Sequence, residues 1–140
     1  MSWFSWFTRW MPGSHRSDEP EPEHLRRGRL GEDAAAAELR RRGCSILTKN
    51  FRGPRGELDL VVRDGDFLVF VEVKTRSSEA WVRPAAAVNA AKRRRLVLTA
   101  QHYLRQLEDP CVKWRFDVVE VLLEDGRVRE VRVLVNAFHH

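Results

Sequence analysis

The chain has 140 residues, with 25 basic and 20 acidic side chains and a formal charge of +5. That length fits one domain and argues against a repeat array or a second full domain. A 43% hydrophobic fraction argues against global disorder despite 32% charged residues, and a chain this long buries enough surface to fold without metal or disulfide staples.

Of the 25 basic residues, 21 are Arg. The guanidinium fork suits phosphate, which makes nucleic acid a candidate partner. A GC-rich genome would enrich Arg equally, so charge alone names no partner. Cys44 and Cys111 have neither CxxC spacing nor a nearby His cluster, which argues against zinc; they read as buried thiols of a cytoplasmic protein.

In chain order, Met1–Trp10 holds Trp3, Phe4, Trp6, Phe7 and Trp10. It has no basic n-region or cleavage site of a signal peptide and is too short to span a bilayer, so no transmembrane segment is expected. Residues 1–24 read as an aromatic leader and a Pro-rich flexible linker, and residues 25–138 as one domain. From Leu30 to Arg42 the pattern is helical, with Leu30, Ala34, Ala37 and Arg41 along one side, Ala35 and Leu39 beside them, and Gly43 as the stop. Residues 44–51 read as a strand, and Gly53-Pro54-Arg55-Gly56 as a turn. Glu57–Arg63 and Phe67–Lys74 form a hairpin around Asp64-Gly65-Asp66. The second of these strands is apolar on both faces, as a central strand is. Pro84 opens a long helix to about Leu107, buried through Val88, Leu96, Ala100, Tyr103 and Leu107. Val112–Glu124 and Val128–Val135 are the last strands, joined at Asp125-Gly126. The order α-β-β-β-α-β-β predicts an α/β, α+β-like fold in which helices flank a central mixed sheet.

Period-two geometry puts Glu57 with Asp59 on one face, and Glu72 with Lys74 on one face of the next strand. Asp59 lies about as far before the hairpin turn as Glu72 lies after it, so the two carboxylates stand nearly opposite. A buried strand that ends in Glu-x-Lys needs partners for those charges. One partner is a divalent cation: two carboxylates and the Val73 carbonyl offer hard oxygen ligands for Mg²⁺ or Mn²⁺. Such an ion polarises a phosphodiester and steadies the attacking water, with Lys74 beside it to place the water or neutralise phosphoryl charge. The other reading is a cross-strand salt bridge such as Asp59 with Lys74.

Asp59, twelve intervening residues, then Glu72-Val73-Lys74 resembles the PD-(D/E)xK nuclease motif of the restriction-endonuclease-like fold. Gly31-Glu32 before an alanine-rich helix, Asn50-Phe51-Arg52, Gly56-Glu57-Leu58-Asp59-Leu60, Val69 to Arg76, Lys92-Arg93-Arg94 and Arg115-Phe116-Asp117-Val118-Val119 together resemble the YraN family, which is similar to archaeal Holliday junction resolvases. The resemblance spans about residues 28–136. It implies a catalytic set of Glu32, Asp59, Glu72 and Lys74, with Asp59, Glu72 and Glu32 toward the metal. By its position alone, Glu32 could equally be a charge at a helix N-terminus. Glu57 reads as an outer ligand or a partner of a surface Arg, and Asp117 as a structural ion pair with Arg115.

Lys92 falls on the buried stripe of its helix, so its ammonium either snorkels over the core edge or reaches into the cleft. Arg93, Arg94 and Arg95 should face solvent and, with Lys92, Arg76 and Arg26, Arg27 and Arg29 before the first helix, could contact a sugar-phosphate backbone. Arg40, Arg41 and Arg42 read as a solvated helix end. Trp81 reads as a packing contact or a base-stacking wedge. No sequence-reading motif is present, so any preference is for nucleic-acid structure. The combined expectation is a metal-dependent endonuclease acting on DNA, branched or junction forms included, as a homodimer. The alternative is a weakly catalytic or non-catalytic nucleic-acid-binding protein on the same fold.

Overall fold

The computed structural model describes residues 19–77, 88–109 and 111–139. The elements are α1 (Glu23–Arg41), β1 (Ser45–Gly53), β2 (Gly56–Asp64), β3 (Phe67–Ser77), α2 (Ala90–Arg105), β4 (Lys113–Glu124) and β5 (Arg127–Phe138). They make one mixed sheet in the order β1-β2-β3-β4-β5, with β3 at its centre. β1–β2, β2–β3 and β4–β5 are antiparallel, whereas β3–β4 is parallel from Phe67–Lys113 to Ser77–Leu123. A parallel pair needs a crossover, and α2 supplies it. Ala35, Ala36 and Leu39 of α1 cover one face over Leu60, Val69, Val71, Val119 and Val121. Leu96, Ala100 and Tyr103 of α2 cover the other over Val61, Phe70, Phe116 and Val118. The element order and the two-faced central strand agree with the sequence reading.

Several boundaries differ. α1 starts at Glu23, two turns before Leu30, so Glu23 and His24 are helical and not linker. The Pro22 carbonyl accepts from the Leu25 and Arg26 N–H groups. The first turns are held by charge, with Arg29 on Glu21 at 2.8 Å, and bury no apolar stripe. The inward face is Gly31, Ala35, Ala36 and Leu39: Ala35 and Leu39 are buried as read, but the face is centred on them and not on the Leu30–Ala34–Ala37 line, and Ala37 is exposed. α2 begins at Ala90: Asn89 is extended and its side chain accepts from the Lys92 N–H, capping the helix there. Val88 is buried ahead of that helix, not on it. The Pro84 and Trp81 readings and the aromatic leader lie outside the described residues. Cys111 is exposed in the turn before β4, where its N–H bonds Asp109, and Cys44 is half-buried, so neither is the buried thiol expected.

Two contacts lock this frame. A Cβ at Gly31 would stand 1.8 Å from Thr75 Oγ1, so α1 approaches β3 as closely as it does only because residue 31 has no side chain. On the same face of the sheet, Asp117, 2% exposed, accepts from Arg115 at 3.0 Å and from the Asn136 N–H at 2.9 Å. Asn136 has φ 53° at the irregularity where β4–β5 pairing jumps from Phe116–Phe138 to Val118–Leu134. Arg115 also holds Asp64 at 2.7 Å, tying the β2–β3 hairpin to β4. The ion pair read from sequence is therefore present and fixes the β5 register.

Gly31→Ala should lose about 1–2 kcal/mol, overpacking outweighing the better helix propensity, and Thr75→Ala should restore most of it; urea unfolding of the single and double variants measures this. Arg115→Met should lose about 3–5 kcal/mol by leaving Asp117 buried without its cation, whereas Arg115→Met/Asp117→Leu should recover much of that in the same assay.

Candidate functional site

The β2–β3 ladder runs from Asp64–Phe67 to Leu60–Val71 and stops there. The next donor along β3, the Val73 N–H, goes to a side chain: it donates to Asp59 Oδ2 at 2.8 Å. The strand thus ends in a carboxylate, and Asp59 is brought to the face of β3 that carries Glu72. Glu72 is 6% exposed, and no donor from the described residues reaches its Oε2. Its other oxygen faces two ammonium groups, Lys74 Nζ at 3.8 Å and Lys92 Nζ at 3.2 Å. Lys92 therefore reaches into the cleft, the second of the two placements its position on α2 allows.

Burial pushes the Asp59 carboxyl to about 7, and the neighbouring Glu72 carboxylate pushes it the same way, while the Val73 N–H opposes them. A charge so close disfavours ionisation of the Asp59 carboxyl. The predicted Asp59–Lys74 salt bridge is not among the ion pairs of the described residues; the pair that forms is Asp59 with Glu72.

Glu32 joins from α1. Burial raises its carboxyl above the usual range, and a bond from the Asn50 side chain acts against that. Asn50 has φ 52° and sits in β1 between Lys49 and Phe51, which pair with Leu60 and Leu58 on either side of Asp59. The Glu32 charge is felt at Asp59, yet among the described residues no three His, Cys, Asp or Glu side chains form a ready metal-holding group. Glu57 pairs with Arg52 at 3.2 Å, the surface partner foreseen for it.

The basic residues divide by what they already hold. Arg29 is on Glu21, and Arg41 and Arg42 are on Glu38. Arg93 donates to the Val88 carbonyl at 3.0 Å and stacks over Phe138 at 5.5 Å, a role in fixing the start of α2. Arg94 and Arg95 are exposed, as expected. Arg76 is half-buried, with its charge reaching Glu120. Parallel pairing sets Glu120 of β4 beside Lys74, and antiparallel pairing sets Arg132 of β5 beside Glu120. Asn50 was seen only as part of a motif. Its position beside Asp59 depends on strand register, and no local pattern marks it.

The carboxylates of half-buried Asp59 and buried Glu72, with a Glu72 oxygen that has no hydrogen-bond partner among the described residues, suit a hard divalent ion, although Lys74 and Lys92 already stand at the other Glu72 oxygen.

The model of the uncharacterised protein family UPF0102 matches residues 31–121, and the chain belongs to that family, which is related to proteins of the PD-(D/E)xK and Holliday-junction-resolvase fold. It is 45% identical over 112 residues to a UPF0102 protein of Pelotomaculum thermopropionicum, covering 79% of this chain and 93% of that one. It is 49% identical over 113 residues to UPF0102 protein STH1475 of Symbiobacterium thermophilum, covering 80% and 95%. A UPF0102 protein of Pseudomonas aeruginosa is 47% identical over 105 residues, covering 72% and 82%. Among the described residues, no helix is long and apolar enough to cross a membrane.

Because the folded chain holds the Asp59 proton more tightly than the unfolded chain does, the stability this group contributes should be fully present below about pH 4 and be lost as pH rises through about 7. The loss is on the order of 4 kcal/mol. Subtracting the pH profile of Asp59→Asn from that of the metal-free wild type, both from chemical denaturation, should isolate this slope; parallel profiles would remove it.

Proposed function

We propose that the chain is a metal-dependent endonuclease that hydrolyses phosphodiester bonds in DNA, with branched or junction DNA as its preferred form. The observation that carries this reading is the meeting of half-buried Asp59 with buried Glu72, whose Oε2 has no hydrogen-bond partner among the described residues and whose Oε1 faces two ammonium groups. Asp59 and Glu72 would hold Mg²⁺ or Mn²⁺, with Glu32 close enough to bias the site by its charge. When bound, the ion supplies Lewis acidity to the scissile phosphate and lowers the pKa of water.

The other roles belong to the chain. The Val73 N–H holds the Asp59 carboxylate toward Glu72. Lys74, half-exposed beside Glu72, faces the side from which a phosphate arrives and is placed to neutralise phosphoryl charge or hold the attacking water. Lys92 enters from α2 and adds a second cation at the same carboxylate. It sits where an ion would compete for Glu72, which also favours the second reading, a nucleic-acid-binding protein with little turnover. Family and fold support nuclease-like chemistry in general; substrate form and dimeric action belong to the proposal.

Purified protein with Mg²⁺ or Mn²⁺ should cut at least one of linear, flapped and four-way DNA. Asp59→Ala, Glu72→Ala and Lys74→Ala should each lower the rate at least about 100-fold, in line with the loss of a positioned catalytic group. Calorimetry should show Mn²⁺ binding to wild type and its loss in Glu72→Gln. Mn²⁺ binding with no cutting of any substrate would favour the second reading, and cutting that survives all three alanine changes would remove the site.

A further inference from the structure

Two ammonium groups meet one carboxylate oxygen in the acid cleft. Glu72, 6% exposed, faces Lys92 Nζ at 3.2 Å and Lys74 Nζ at 3.8 Å through its Oε1, while its Oε2 has no hydrogen-bond partner among the described residues. The two lysines are held differently. Lys74 lies on β3 with Glu72, and the next residue of that strand, Thr75, is held against Gly31 of α1. Lys92 comes from the first turn of α2, where its backbone N–H donates to the Asn89 side chain at 2.9 Å. Its backbone is thus fixed, but its side chain is 35% exposed, and among the described residues Glu72 is the only acid within ion-pair distance of its Nζ. A flexible four-carbon stem can lift the ammonium off Glu72 without moving the helix. Arg95, three residues on and a neighbour on the helix surface, is exposed, so a lifted Lys92 joins a cation that already faces solvent.

Charge balance decides when it lifts. Three carboxylates bear on the cleft, those of Glu32, Asp59 and Glu72, against the two ammonium groups. A divalent ion doubles the positive charge and carries it past the carboxylates, and like charges this close repel. We infer that Lys92 is an exchange cation: it neutralises Glu72 until a divalent ion takes that carboxylate, and then turns outward to a DNA phosphate. Lys92 yields and Lys74 stays, because the Lys92 ammonium is the nearer to Glu72 and reaches the cleft from outside the sheet. One displacement frees Glu72 for the ion and Lys92 for the strand, so each ligand favours the other's binding. The inference rests on the nuclease reading for the identity of ion and strand, but its test needs no cleavage.

The test uses the full chain in two measurements. In calorimetry without DNA, Lys92→Met should bind Mn²⁺ and Ca²⁺ each about 10-fold more tightly than wild type, because nothing has to be displaced. Arg94→Met, which removes an exposed charge from the same helix, should differ from wild type by less than about 2-fold. Lys92→Met should also have a lower thermal midpoint than wild type without metal and a larger upward shift with Mn²⁺, a split that a purely structural residue would not produce. Lys92→Gln gives the same readings should the methionine variant not fold. In anisotropy of fluorescein-labelled duplex and four-way DNA across a KCl series, the log–log salt slopes of wild type and Lys92→Met should coincide in EDTA and differ by about one in Ca²⁺. Lys92→Arg should restore the wild-type slope in Ca²⁺. Equal or weaker metal binding by Lys92→Met overturns the exchange. So does a slope difference that is the same in EDTA and Ca²⁺, or a wild type that binds neither ion or neither DNA. If affinity and slopes shift as stated while wild type cuts nothing with Mn²⁺, the hydrolysis reading fails and the exchange stands; if wild type cuts and Lys92→Met gains no affinity, the reverse holds.

Discussion

The constraint on which the site depends is a glutamate buried on the central strand. Glu72 sits in β3 at 6% exposure, two residues after Phe70 in the core. A carboxylate there has to be matched by cations, and the surrounding elements converge on it. β2 stops pairing at Leu60–Val71, which brings the Asp59 carboxyl to it. The strand itself supplies Lys74, and α2 supplies Lys92 from its first turn. The Asn89 cap and the Arg93 anchor on Val88 and Phe138 fix where that turn begins, so contacts that touch no carboxylate set the reach of Lys92.

The two faces of the sheet divide the work. On the α1 side, a glycine seated against Thr75 and an aspartate clamped by Arg115 set distances and register. On the α2 side, charges follow the apolar core at one end of β3, β4 and β5. Site precision therefore comes partly from the face that carries no site. Strand rigidity passes the Gly31–Thr75 contact to Lys74, its immediate neighbour in β3.

What could be read from sequence was what short-range periodicity carries. The β2–β3 hairpin, the doubly covered β3 and the opposition of Asp59 to Glu72 follow from alternation and an Asp-Gly turn. The first turns of α1 were not legible, because Glu23–Arg29 lacks a buried apolar stripe and is held by ion pairs. Four consecutive alanines, Ala34 to Ala37, carry no phase of their own, so the buried face came out rotated. Lys92 was half legible, since its place on the helix allowed two destinations and only packing chose between them. Glu120 was not legible at all. It sits in the run Val118–Val121, and its neighbours Lys74 and Arg132 are assigned by pairing between strands far apart in the chain.

The Asp59–Val73 hydrogen bond carries an evolutionary consequence. It joins the proposed site to the sheet, because the carboxylate stands where a strand would otherwise accept that amide. A lineage that stopped using the site could lose the charges of Glu72 and Lys74 and gain stability by replacing them with apolar groups. It could not as easily lose an acceptor at position 59 without stranding a half-buried N–H. Descendants that no longer use the site should therefore keep Asp or Asn there while positions 72 and 74 drift, leaving one residue as the trace of a former pair.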